Sequence, residues 1–577
     1  MSEEHPPMTG GMRKGLTSYG DPGFSLFLRK AFIKAMGYSD DALGRPIVGI
    51  TNTYSSFNPC HGNVPKLIEA AKRGVMLAGG LPMEFPTISI HESFAYPTSM
   101  YLRNLMAIET EEMVRAQPMD SVVLIGGCDK TIPAQLMAAA SADRPAIVLP
   151  VGPMLVGHHK GEVLGACTDC RRLWARHRAG EIDEAEIDAV SERLAPTAGT
   201  CMVMGTASTI ACTTEALGMA LPLSGSVPAT HADRLRAAEA AGRQAVALAA
   251  NGPKPSEIMT PAAFRNALVV LQALGGSTNG LVHLAAVAGR LGIRIDLDAF
   301  DRLGREVPVL VDLKPSGQHY MEHFHWAGGV PRLLRELAPL LDLNALTVAG
   351  TPLASVVQAA EEVPGQDVIR SRAAPLKSGG ALAVLRGNLA PDGAVIKQSA
   401  ASEALLRHEG RAVVFESVED MTRRIDDDAL DVTPDDVLVL RAAGPKGAPG
   451  MPEAGYLPIP KKLARAGVKD MVRISDARMS GTAFGTIVLH IAPEAAVGGP
   501  LALVRDGDRI RLDVPARRLD LFVDEHELAR RRKQWKPAAP VDAERGYAAL
   551  FQKSVLQADR GCDFDFCVPA AERGKTP

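Results

Sequence analysis

Three cysteines stand one to a loop among Gly, Thr and Asn residues. Cys60 lies in Asn58-Pro59-Cys60-His61-Gly62-Asn63, Cys128 in Gly126-Gly127-Cys128-Asp129-Lys130, and Cys201 in Ala198-Gly199-Thr200-Cys201. Any one of them alone reads equally well as a small buried hydrophobe. All three at the ends of strands or the start of a helix could instead meet at one point. Three thiolates are one short of the usual four for an iron–sulfur cluster. A cluster held by only three leaves an iron open to act as a Lewis acid on a hydroxyl, whereas an electron carrier closes its cluster with four, often tightly spaced. Asp129-Lys130 reads first as a solvated ion pair, yet an acid at a strand end near Glu92 could bind a hard cation that prefers oxygen. Glu453, closing the Gly/Pro loop that begins at Gly444, is a further oxygen donor. Ser475 to Thr482 follows an apolar run and places Ser475 and Ser480 in a tight loop, which at its plainest is a turn capped by hydroxyls.

Cys167-Thr168-Asp169-Cys170 offers a rival chemistry, redox or zinc. Zinc would need two more ligands at similar local spacing. Cys562 and Cys567 could supply them only by long-range convergence, so these four and Cys212 read as structural or incidental. The chain has no G-x-G-x-x-G, Walker A or G-x-S-x-G motif, which removes sequence support for nucleotide binding and esterase chemistry.

The elements that must position these residues repeat a strand–loop–helix rhythm. Strands are expected at Ile47–Thr51, Phe85–Ile90, Ser121–Ile125 and Ala146–Leu149, with a helix over 64–78 stopped by Gly79-Gly80. After Cys128, Thr131 is placed to cap, and Pro133 to enter the first turn of, a helix through Ala140. Strands alternating with helices predict an α/β domain with a parallel sheet, and ligands of such sheets bind at the carboxyl ends of the strands. From Val437–Leu440 onward short alternating runs, with a hairpin-type turn at Asp506-Gly507, predict a mainly β, barrel-like C-terminal domain. The division is set at residues 1–375 and 376–577, near Pro364-Gly365 and Lys377-Ser378-Gly379-Gly380. No repeat with a period of 20–50 residues is found.

The 577 residues carry 63 Lys+Arg against 66 Asp+Glu, a formal charge of −3 that excludes an obligate nucleic-acid or anionic-membrane partner. Eight cysteines are too few for a disulfide scaffold. The polar N-terminus lacks a leader's apolar core. The uncharged stretch between Arg265 and Arg290 is broken at Gly275-Gly276 and reads as two buried helices, not a membrane span. A cytoplasmic, reducing location follows as the expectation.

The loops of Cys60, Cys128 and Cys201, together with Ser475-Asp476-Ala477-Arg478-Met479-Ser480-Gly481, closely resemble the dihydroxy-acid and sugar-acid dehydratase family, from about Arg13 to Cys567. The resemblance implies a site between the two domains and a homodimer or homotetramer. It implies that Cys60, Cys128 and Cys201 hold a [2Fe–2S] cluster, with [4Fe–4S] the alternative. It also implies that Glu92, Asp129 and Glu453 bind Mg²⁺ with a carbamylated Lys130, and that Ser480 is the general base, with Arg478 and Thr482 beside it as substrate-binding residues. Glu92 stands where branched-chain members often carry aspartate, and leans toward the sugar-acid branch.

The reaction so implied is loss of water from a small anionic 2,3-dihydroxy acid, giving a 2-oxo acid without net redox change. Gly15–Tyr38 and Gly561–Phe566 look more like the sugar-acid branch, and His158–Asp188 could contact a polyhydroxy tail or be an exposed helical hairpin. The alternatives are a branched-chain dihydroxy-acid dehydratase, an iron–sulfur electron carrier or sensor, and an inactive homologue that only binds.

Overall fold

The computed structural model describes residues 10–16, 19–537 and 544–569. Residues 1–9 of the polar N-terminus, and 17–18 within the Gly15–Tyr38 stretch, lie outside that range. Four parallel strands form the first sheet: β1 (Ile47–Asn52), β2 (Leu81–Pro86), β3 (Ser121–Gly126) and β4 (Ala146–Pro150), in the order β2-β1-β3-β4. β1 and β3 are buried almost throughout, as a sheet covered on both faces requires. The chain leaves β1 toward one edge and returns through β3 toward the other. The carboxyl ends of β1 and β3 therefore form the switch point, where two diverging connections leave a crevice. Cys60 follows β1, and Cys128 follows β3.

The helices Val64–Leu77 and Ala232–Asn251 cross tightly on one face. A Cβ at Gly74 would meet the Glu239 carbonyl, and one at Gly242 the Ala71 carbonyl, so each glycine admits a neighbouring backbone. The uncharged stretch forms two buried helices, Pro261–Ala273 and Thr278–Arg290, joined by a turn. Among the described residues no helix is long and apolar enough to cross a membrane. Segment 157–191 begins as a small hairpin, β5 (Gly157–His159) with β6 (Glu162–Leu164), and continues as the helices Thr168–Ala179 and Glu184–Ser191.

The C-terminal part is a closed eight-stranded barrel. Its strands are β7 (Ala383–Gly387), β8 (Ala390–Ile396), β9 (Arg407–Phe415), β10 (Val437–Leu440), β11 (Arg473–Ser475), β12 (Ile487–Ala492), β13 (Arg509–Asp513) and β14 (Arg518–Phe522). Its interior is a separate apolar core, with Leu385, Ile396, Val439, Ile474 and Leu519 among its members.

Three local expectations are corrected. The second strand runs over Leu81–Pro86, not 85–90, because the chain pairs with β1 directly after Gly80 and Pro86 ends the run. Thr131 is the first helical residue rather than the cap; Lys130 holds the cap position, its ammonium engaged by carboxylates instead. The β13–β14 hairpin turns through 514–517, whereas Asp506-Gly507 only steers the chain into β13.

Candidate active site

One cavity of about 1270 Å³ opens between the switch point of the sheet, the helix Thr168–Ala179 and the loops at one end of the barrel. Cys60, Glu92, Cys128, Asp129, Cys201, Glu453, Ser480 and Thr482 all line it. Lys130 and Arg478 lie buried behind this wall.

The sulfur wall is set by a histidine that sequence reasoning quoted but gave no role. His61 is fully buried, with Nδ1 2.7 Å from the Thr53 carbonyl, while Nε2 accepts from the backbone N–H groups of Gly127 and Cys128 at 3.0 Å each. These contacts fix the neutral Nδ1–H tautomer, and burial lowers its pKa to about 4. His61 thereby locks the loop of Cys60 to that of Cys128. The two thiols contact each other, and this shared hydrogen bond, with burial, holds Cys60 well above the usual thiol range. His91 reaches Cys60 from the side. Cys201 lines the same cavity with its Sγ 3.0 Å from that of Cys167, a neighbour the sequence reading had set aside. Cys562 and Cys567 pack in a different apolar cluster, so the convergence a zinc site needed does not occur. No disulfide links the eight cysteines.

The oxygen wall comes from three separate loops. Glu92 begins a short 3₁₀ turn, Asp129 follows Cys128, and Glu453 opens the 3₁₀ turn Glu453–Tyr456. Carboxylate oxygens of the three lie within 4.8 Å of one another, an all-oxygen set that fits a small hard cation. Lys130 Nζ lies 2.5 Å from Asp129 and 3.3 Å from Glu92. Arg478 donates to Glu453 at 2.6 Å, to Glu92 at 3.1 Å and to the Thr98 hydroxyl at 2.7 Å. The guanidinium of Arg478, a residue expected to bind substrate, is buried and engaged by these carboxylates. Burial opposes the charge on Glu92, but Arg478 and Lys130 outweigh it and lower its pKa, whereas burial prevails at Glu453 and raises it. Lys130 is raised despite burial and Arg478, because Asp129, Glu92 and Glu453 surround it.

Ser480 sits in the loop after β11, with Oγ 2.8 Å from the Thr482 hydroxyl. Both halves of the molecule hold this loop. Asn279 donates to the Met479 carbonyl at 2.9 Å and Thr168 to that of Thr482 at 2.9 Å, while the buried Lys397, next to β8, donates to that of Gly481 at 3.1 Å. A Cβ at Gly481 would lie 2.5 Å from Ser277, so this position must be glycine for the loop to approach the helix Thr278–Arg290. Lys397, like His61, was missed: a lone lysine beside a strand carries no spacing signal.

Comparison with known proteins finds two family models that match the chain. Residues 45–356 match the dihydroxy-acid/6-phosphogluconate dehydratase N-terminal family model, and residues 367–562 match its C-terminal counterpart. The chain is 48% identical over 551 residues to L-arabinonate dehydratase of Rhizobium leguminosarum bv. trifolii (strain WSM2304), covering 95% of each chain. It is 47% identical over 530 residues to 6-deoxy-6-sulfo-D-gluconate dehydratase of Pseudomonas putida, covering 91% of each. It is 40% identical over 540 residues to dihydroxy-acid dehydratase of Acetivibrio thermocellus, covering 92% of this chain and 96% of that one.

Proposed function

The chain belongs to the dihydroxy-acid/6-phosphogluconate dehydratase family, and from that premise we propose that it is a hydro-lyase converting a sugar-acid 2,3-dihydroxy carboxylate into its 2-oxo acid. The observation that carries this reading is the cavity in which thiols, an all-oxygen carboxylate set and a serine on a loop held by three side-chain hydrogen bonds face one another. Cys60, Cys128 and Cys201 would hold the iron–sulfur cluster, [2Fe–2S] in preference to [4Fe–4S]. Glu92, Asp129, Glu453 and a carbamylated Lys130 would hold Mg²⁺. When bound, these groups would supply Lewis-acid stabilisation of the negative charge that develops on the carboxylate side and on the departing C3 hydroxyl.

The residues of the chain do the rest. Ser480 Oγ is assigned the C2 proton, and the Thr482 hydroxyl beside it, 2.8 Å away, is placed to donate to the oxygen once it bears charge. A free serine is far too weak an acid for this alone, so its loop must be held where the positive charge of the site reaches it. Arg478 neutralises and orients Glu92 and Glu453 from behind. Loss of the C2 proton and the C3 hydroxyl leaves an enol, which becomes the 2-oxo acid.

A polyhydroxy tail is supported by the similarity to dehydratases of sugar acids, and Arg171, Arg172, Asp188 and Lys469, set among apolar residues of the cavity wall, could meet its hydroxyls. A homodimer or homotetramer is supported by exposed aromatic residues near the cavity, among them Phe57, Phe94 and Tyr96. A cytoplasmic location suits thiols that must stay reduced. The test is anaerobic purification followed by a panel of aldonates, glycerate and 2,3-dihydroxyisovalerate, with 2-oxo acid measured. Turnover of aldonates above the others is expected. No product from any would overturn the reading, and preference for dihydroxyisovalerate would move the chain to the branched-chain reaction.

A further inference from the structure

The Cys167-x-x-Cys170 pair is left unused by the proposed reaction, yet it stands against one of its sulfur ligands. Cys167 Sγ lies 3.0 Å from Cys201 Sγ. Cys170 begins the next stage of the same array: its thiol donates to the Cys167 carbonyl at 3.0 Å, and its side chain also meets that of Cys167. Cys167 is thus the middle of three thiols in a row. All three line the cavity and are half-buried, whereas Cys60 and Cys128 are buried.

The backbone supplies a second, independent observation. Cys167 has φ 78° and ψ −41°, a region that a residue with a Cβ seldom occupies. It does so at the N-cap of the helix Thr168–Ala179, although its side chain accepts no capping hydrogen bond from that helix. Backbone held in a sparse region persists where the surroundings over-determine it. Here the neighbours that over-determine it are Asp169, whose carboxylate accepts from the Gly165 N–H at 2.7 Å, and Thr168, tied to the Ser480 loop at 2.9 Å. The result turns a thiol toward Cys201 in place of a cap.

We infer that Cys167 is a resolving thiol for Cys201, forming a disulfide with it when the site holds no iron, and that Cys170 then draws the disulfide onto the C-x-x-C pair. The oxidant is a peroxide. Cys201 thiol and hydrogen peroxide give a sulfenic acid and water; the Cys167 thiol attacks the sulfenic sulfur, the S–S bond forms and a second water leaves. Two electrons pass from the two thiols to the peroxide. Cys170 next attacks the Cys167 sulfur, forms Cys167–Cys170 and returns Cys201 as a thiol, with no net change of oxidation state. The chemical consequence is that Cys201 is kept from the irreversible sulfinic and sulfonic acids. Its value as an iron ligand rests on the function proposed above; the disulfide itself does not.

The test uses full-length protein stripped of iron by a chelator, treated with a few equivalents of hydrogen peroxide and mapped by mass spectrometry without reduction. Wild type is expected to show Cys167–Cys170 and Cys167–Cys201 linkages, with little Cys201 sulfinic acid. Cys170→Ser should trap Cys167–Cys201. Cys167→Ser should carry at least fivefold more Cys201 sulfinic acid and, after dithiothreitol, should take up correspondingly less iron and sulfide than wild type treated in the same way. Cys212→Ala, a change in a buried thiol outside the array, is the control for handling. Equal Cys201 over-oxidation in wild type and Cys167→Ser, with Cys167 still a thiol, would overturn the inference. If untreated wild type takes up no iron at all, the cluster reading fails while the disulfide map still decides this one.

Discussion

Replacing His61 by phenylalanine tests the claim that one imidazole joins the two sulfur loops. The substitution fills the space but removes every polar contact of the ring. Two backbone N–H groups, at Gly127 and Cys128, and the Thr53 carbonyl are left without partners in a fully buried setting. At about 1–3 kcal/mol for each unsatisfied buried group, the loss is on the order of 3–6 kcal/mol after some relaxation. That is a large share of the roughly 5–15 kcal/mol that holds a domain. The guanidinium midpoint should fall, amide exchange should rise over residues 126–130, and bound iron should drop. A pH signature separates this from simple crowding. With an ordinary pKa of 6.5 in the unfolded chain and about 4 in the fold, His61 takes up a proton more readily unfolded. Its contribution is whole above pH 6.5 and is lost as the pH falls toward 4, about 2 kcal/mol of it by pH 5. Wild type should therefore lose stability between pH 6.5 and 5 more steeply than the variant. A variant within 1 kcal/mol of wild type, with the same acid slope and normal iron, would refute the reasoning.

Ser480→Ala should keep iron, sulfide and Mg²⁺ content while kcat falls by about 10²–10⁴; a variant that stays active removes the base assignment. Cys128→Ser is expected to lose visible cluster absorbance and turnover together, and an unchanged spectrum would contradict its place as a ligand. Lys130→Met should weaken Mg²⁺ binding at least tenfold by calorimetry, and the carbamate signal expected from ¹³CO₂-treated wild type should vanish; a wild type with no such signal would rule out carbamylation. Lys397 is buried with its pKa lowered to about 7, so its charge is costly at neutral pH and relieved as the pH rises. Lys397→Met should unfold later than wild type at pH 7, show a flatter stability profile from pH 7 to 9, and turn over more slowly because Gly481 loses its tether; a slope equal to wild type would sink this account.

The sequence made the site legible where chemistry forces residue type and local order together. Thiols within two residues of a glycine, an acid beside Cys128, and serines in a Gly-containing loop each leave a mark within a few residues. The switch point was equally legible, since alternating strands and helices already imply a crevice at the carboxyl edge. What was not legible is held by contacts between distant segments. Nothing in the sequence tells that His61 reaches residues 127 and 128, or that Lys397 reaches Gly481, because a side chain's partner across 66 or 84 positions has no periodicity. The misplaced second strand has the same origin: Ile88 and Ile90 are apolar enough for a strand, but pairing with β1 is complete at Pro86. Cys167 was set aside because its local spacing pointed to zinc or redox, when its informative neighbour, Cys201, lies 34 positions away.

The charges at the oxygen wall give the near-neutral composition a specific meaning. Three carboxylates face three cations, the buried Lys130 and Arg478 and the cavity-lining Arg171 4.0 Å from Glu453, so this wall has no surplus positive charge with which to hold an anionic substrate. More surface lysine would not correct this, because exposed charge is screened within about 8–10 Å. A bound divalent cation would correct it, and would remove the reason for Lys130 to remain an ammonium. With the carboxylates satisfied by the ion, the forces that now raise Lys130's pKa weaken, and burial favours the neutral amine that carbamylation requires. Metal binding and lysine modification are then expected to be coupled, each drawing the other. Carbamate measured by ¹³C labelling should rise with Mg²⁺ concentration and fall with chelation, and a carbamate level indifferent to Mg²⁺ would break the link.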